Sequence, residues 1–197
     1  MLALIVAWIF GATAFVDGCS VVLYYHGDNV DAHDTVRAIQ SDDRRAEAAK
    51  AAEDFFTTMS TARHRFFPLS VAGMLLGAVM VAFAARAMSG RVEARAPLIQ
   101  VVCVHAGLVI LAYFLAEDVR LAEVHMETTF VAARMRESSQ NPEFVEKVIA
   151  LMPKVRPLRD NAWLVARTLL SGFIIIALTR SRAREFFEAA SGRYLER

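Results

Sequence analysis

The chain has 197 residues, a formal net charge of +1 and 56% hydrophobic residues, with a mean hydropathy of +0.37. Soluble domains carry roughly 45–50% apolar residues, so this composition argues against an ordinary soluble fold. The near-neutral charge is uninformative as a total, and no nucleic-acid partner is expected; its distribution along the chain carries the information.

The apolar excess falls into four blocks: Leu2 to Tyr25, Phe66 to Ala85, Ala96 to Ala116 and Ala162 to Thr179. A helix needs roughly 20 apolar residues to cross a bilayer. The alternating segments of ~10 residues that would mark a membrane barrel are missing. The expected fold class is therefore all-α: an integral membrane bundle of four transmembrane helices, at about 2–25, 66–88, 96–117 and 162–180. The whole chain, 1–197, reads as one membrane domain. Helices two and three are expected to extend beyond the membrane, within 26–65 and 118–161.

Block one ends in "FVDGCS", residues 15 to 20. A lipoprotein signal would have a basic start and small apolar residues before the cysteine. Here "MLAL" has no base and Asp17 stands two residues before Cys19. The motif reads instead as the outer part of the first membrane helix, retained in the protein. Cys103 lies at the opposite depth in block three, too far from Cys19 for a disulfide.

Next comes "YYHGDNVDAHDTV", which packs His26, Asp28, Asp31, His33 and Asp34 into one loop. Imidazole and carboxylate groups suit a divalent ion. The spacing fits no established metal motif, so His26, His33 and Asp34 are only weak metal candidates. Ser41 is placed to cap a helix, with Asp42 and Asp43 at its positive end. Ala48, Ala52, Phe55, Met59, Ala62 and Phe66 then form a heptad-like apolar seam leading into block two. Pro68 predicts a kink or a fresh helix start near the membrane surface.

Between blocks two and three, "RAMSGRVEAR" holds three arginines and one glutamate, and "RSRAREFF" after block four holds three arginines. Short basic segments stay on the cytoplasmic side. Both termini are therefore expected in the cytoplasm, with the two long connections outside. Of 22 basic residues 19 are arginine; with abundant alanine, this hints at a GC-rich bacterial genome and hence a bacterial inner membrane.

Block three is expected to continue as one helix to about Glu137, with a second seam at Leu121, Val124, Thr128, Val131 and Met135. Asn141 and Pro142 open a short helix. "MPKVRPLRDN" contains two prolines and reads as a loop, after which Asp160 or Asn161 would cap helix four.

Ionisable residues inside a membrane are functional candidates. Asp17, Arg167 and His105 are the three here. Asp17 and Arg167 fall at similar depth, so an ion pair between helices one and four is allowed, with snorkelling of Arg167 as the alternative. His105 calls for a hydrogen-bonding neighbour such as Ser70 or Ser171. Bis-histidine haem would need a second histidine at the same depth, and the other blocks lack one. Glu117, Asp118, His26 and His64, with Arg65, form an outer-surface polar set. Catalytic residues are not assigned: nucleophile triads, phosphate loops and dinucleotide fingerprints do not occur. No cofactor is expected. The leading expectation is a non-catalytic accessory, assembly or sensory-interaction protein whose partners are the bilayer and other membrane proteins or further copies of itself. The alternatives are a small transporter or proton-coupled protein using Asp17, Arg167 and His105, and a haem or metal binder.

Overall fold

The computed structural model describes residues 1–26, 36–37, 39–138, 141–180, 185 and 187. Among these the regular structure is entirely helical. The helices, in chain order, are α1 (Leu2–His26), α2 (Asp42–Thr61), α3 (Arg63–Met88), α4 (Arg95–Leu115), α5 (Glu117–Ser138) and α6 (Pro142–Thr179). A 3-10 turn at Val92–Ala94 joins α3 to α4. Four of them, α1, α3, α4 and α6, are long and apolar enough to cross a membrane. The metal candidates His33 and Asp34 lie outside the described residues.

The chain divides into two compact units. The first comprises Met1–Leu23, Phe67–Ala112 and Leu164–Arg197. Its core draws Leu4, Ala7 and Phe10 from α1, Met80 and Ala84 from α3, Leu98 and Val102 from α4, and Ile174 and Leu178 from α6. Water-exclusion does little to join helices in lipid; close backbone approach and packing do. That approach is visible between α1 and α3. A Cβ on Gly77 would lie 2.6 Å from the Phe15 nitrogen and 2.7 Å from the Gly11 oxygen. A Cβ on Gly18 would lie 2.8 Å from the Ser70 oxygen. Gly11, Gly18 and Gly77 are thus required where they stand, whereas Gly73 and Gly172, equally small, are not pressed by a neighbour. Arg95 donates to the Leu178 carbonyl at 2.7 Å, placing a cation on the negative end of α6.

The second unit comprises Tyr24–Phe66 and Tyr113–Trp163. Here α2 packs along α5, around a core of Val36, Ile39, Ala48, Ala49 and Ala133 with Phe130 against it. The α2 seam buries Ala48, Ala52 and Ala62. Of the expected α5 seam, Val124, Thr128, Val131 and Met135 are partly buried and Leu121 is 62% exposed, while Val119, Ala132 and Ala133 are the buried residues.

Four local features depart from the sequence reading. The helix expected to run unbroken to Glu137 turns at Ala116. The break frees carbonyls at the end of α4, and two arginines take them: Arg65 donates to Leu115 at 3.5 Å and Arg120 donates to Tyr113. Ser41 holds the N-cap position of α2 without a side-chain capping bond; the carboxylate of Glu137 accepts the Gln40 and Ser41 amides instead, at 3.0 and 2.8 Å. Pro68 lies inside α3, and the break comes earlier, at Ala62. The largest departure is α6, which runs straight through Pro153 and Pro157 for 38 residues. Each proline removes one ladder bond, and the stretch is helical nonetheless, with the lateral ion pairs described below lying along it. Asp160 and Asn161 therefore lie within a helix and cap nothing. Asn141 does cap: its side-chain oxygen accepts the Phe144 amide at 3.2 Å.

Candidate functional site

In the first unit, Arg167 of α6 donates to Asp17 of α1 at 2.6 Å. The arginine side chain is 22% exposed and the aspartate 57%. Both lie on apolar spans, where an isolated charge costs several kcal/mol by most measures, so each is the natural counter-ion of the other. Gly18 follows Asp17 directly and brings this part of α1 onto the α3 backbone, which fixes the carboxylate's position. Ser171 is buried one turn from Arg167 and donates to the Arg167 carbonyl at 2.9 Å.

His105 is buried on α4, 3% exposed. Phe10 meets its ring edge-on at 5.2 Å between centroids. Its Nδ1 has no hydrogen-bond partner among the described residues; the expected bond to Ser171 is not made, because that hydroxyl is turned back onto its own helix. Asp17 and Arg167 are thus brought together, and His105 lies in the same unit, packed on Phe10 of α1.

The outer-surface set is only partly gathered. In the second unit, Arg65 meets Asp118 at 2.5 Å, and that hydrogen bond holds the Asp118 carboxyl below its ordinary range. His64 makes a local contact to the Thr61 carbonyl at 2.9 Å. Glu117 is exposed at the start of α5. His26 ends α1. Among the described residues no group of three or more His, Cys, Asp or Glu side chains is arranged to hold a metal ion. Both cysteines are free thiols.

Sequence reasoning missed the densest charge cluster. Arg156 of α6 contacts Glu123 at 2.7 Å and Glu127 at 2.9 Å, both on α5, and Asp160 at 3.9 Å. Arg159 adds a contact to Asp160 at 3.6 Å. Glu123 and Glu127 share a face at i, i+4, as do Arg156 and Asp160. The spacing was a usable signal, but it has meaning only if 153–162 is helical. Helical geometry through 153–162 is what presents Arg156 to Glu123 and Glu127 of α5 and to Asp160 of its own helix.

The arrangement can neutralise charge, bind a proton at His105 and tie helices laterally. No protein family, characterised protein or solved structure matches the chain.

Proposed function

We propose that this protein is a non-catalytic, multi-pass membrane subunit of the bacterial inner membrane that binds other membrane proteins, or further copies of itself, by helix packing. The observation that carries this reading lies on the first half of α6. Phe144, Leu151, Val155 and Leu158 are exposed there, in a segment, 142–161, that also holds seven charged residues: Glu143, Glu146, Lys147, Lys154, Arg156, Arg159 and Asp160. That charge density keeps the segment out of the hydrocarbon core, so lipid tails do not cover the apolar face. Large exposed apolar patches outside lipid mark interaction sites. In this reading both termini are cytoplasmic and the α2–α5 pair, with the first half of α6, lies outside as the extension of the spans. Gentle detergent extraction with measurement of native mass and identification of stoichiometric partners tests the proposal. A defined assembly supports it; a chain that remains a lone monomer at the lowest workable detergent concentration overturns it.

A second reading is favoured by one observation, the buried His105, whose Nδ1 has no hydrogen-bond partner among the described residues. A proton-coupled membrane protein would use such a group as its proton carrier. Proteoliposomes containing a pH-sensitive dye test it: proton flux that disappears in His105→Phe supports this reading, and dye signals equal to those of empty liposomes reject it.

A further inference from the structure

We infer that Tyr24, Phe66, Tyr113, Phe114 and Trp163 form an aromatic belt in the headgroup and glycerol layer of one leaflet, so that the partner of this surface is phospholipid. The inference rests on the membrane reading above and adds a depth to it. The chain passes between the two compact units four times. The residues at which it enters or leaves the second unit are Tyr24, Phe66, Tyr113 and Trp163. Aromatic residues make up 10% of the chain, so composition alone would not place one at every crossing. Aromatic side chains collect at membrane–water interfaces because an apolar ring and a polar tip are both satisfied there.

Three further observations put lipid against these rings. First, the helical stretches that the first unit draws from the four spans are 2–23, 67–88, 95–112 and 164–179. At 1.5 Å per residue they are about 24–33 Å long. The hydrocarbon core is roughly 30 Å thick, so the crossings fall where the core ends. Second, the charge changes at the same places. Of Asp, Glu, Lys and Arg, those stretches hold only the paired Asp17 and Arg167, with Arg86 and Arg95 at their far ends. Past the crossings charge returns at once: Arg65 adjoins Phe66, Glu117 follows Tyr113 by one turn, and Asp160 lies just before Trp163. Third, the polar tips are held within the charged unit. The Tyr113 hydroxyl donates to Asn161, and that of Tyr25, beside Tyr24, donates to the Met59 carbonyl at 3.3 Å. The Arg120 guanidinium lies 3.7 Å over the Tyr113 ring, and that of Arg65 lies 5.9 Å from the Phe66 ring. Rings interleaved with guanidinium groups suit a layer rich in phosphate and ester oxygens. Phe114 and Trp163, 68% and 60% exposed, present the most ring surface to it.

The belt also sets the depth of the Asp17–Arg167 pair. Arg167 follows Trp163 by four residues and Asp17 precedes Tyr24 by seven, which puts them about 6 and 10 Å beneath the belt. That is the upper half of one leaflet, away from the bilayer centre where a charge costs most.

The test is depth-resolved quenching of tryptophan fluorescence in phosphatidylcholine vesicles. The acyl chains carry bromine either just below the glycerol or near the methyl end. The chain has two tryptophans, so Trp8→Phe leaves Trp163 alone. Adding Trp163→Phe and Phe173→Trp moves the probe ten residues along α6, about 15 Å deeper. Trp163 should be quenched at least about twofold more by the shallow bromines, and Phe173→Trp should reverse that order. Absent quenching of Trp163, equal quenching at the two depths, or stronger quenching by the deep bromines overturns the inference. The Trp8→Phe ratio decides this by itself if the Phe173→Trp chain does not insert. Purified protein in vesicles has no other partner present, so the result separates from the assembly reading. A shallow Trp163 in a monomeric chain supports the belt and overturns only the assembly; an unquenched Trp163 in a defined assembly overturns only the belt.

Discussion

Asp17 and Arg167 meet at 2.6 Å across 150 residues of chain, and they are the two charges on otherwise apolar stretches of α1 and α6. A pair of this kind is costly to halve. Asp17→Ala should lower stability by about 1–3 kcal/mol, the range expected when one membrane charge loses its counter-ion away from the bilayer centre. Arg167→Leu alone should do the same. The double variant should recover most of the loss, since removing both charges leaves nothing unpaired. Thermal unfolding in one fixed detergent checks the cycle; additive losses in the double variant would show that the two residues act separately.

Gly77 carries the closest approach in the first unit. A side chain there has no room, because the obstructing atoms are the α1 backbone at Phe15 and Gly11. Gly77→Val should push α1 from α3 and cost about 1–3 kcal/mol, as overpacking generally does. Gly107→Ala is the matched control: nothing lies within 4 Å of its Cβ position, and alanine suits a helix better than glycine. Melting temperatures of the two variants should move in opposite directions, or Gly107→Ala should leave it unchanged.

The four spans were legible because a run of roughly 20 apolar residues has few other uses. The Asp17–Arg167 pair was legible as a matched depth on two helices. What the sequence hid was governed by contacts between distant segments. Prolines 153 and 157 argue locally for a loop, yet the stretch is helical, and Arg156 within it engages Glu123 and Glu127 of another helix. Ser41 has the chemistry of a cap, yet Glu137, 96 residues on, takes the amide. At Ser41 local propensity is outweighed by a partner that spacing alone does not identify.

The Arg156 cluster makes a prediction of its own. With a side chain 18% exposed, Arg156 holds two glutamates of one helix face together. Arg156→Leu should cost about 2–4 kcal/mol, because it leaves like charges adjacent and under-solvated. It should also free the proline-containing stretch to leave the helix. Limited proteolysis reads the second effect as new cleavage between Met152 and Asp160. Adding Glu123→Gln and Glu127→Gln should restore thermal stability in part while the new cleavage persists. Unchanged proteolysis in Arg156→Leu would mean that α6 is helical there for other reasons.

Glu137 gives the second unit a pH dependence with a defined sign. The Ser41 and Gln40 amides donate to its carboxylate and hold its pKa below the ordinary 4.5. A depressed acid contributes stability that is fully present above its unfolded pKa and is lost as the pH falls through the folded value. The clasp is therefore intact at neutral pH and opens only in acid, below the ordinary glutamate range. Asp118, held low by Arg65, follows the same sign and makes Asp118→Asn a necessary background. Hydrogen exchange at Gln40 and Ser41, expressed as protection relative to intrinsic rates, should fall as the pH drops from about 6 to about 3. In Glu137→Gln the amide acceptor does not titrate, so protection should start lower and stay flat. A wild-type protection that is equally flat would place the holding force on α2 elsewhere, in its packing against α5.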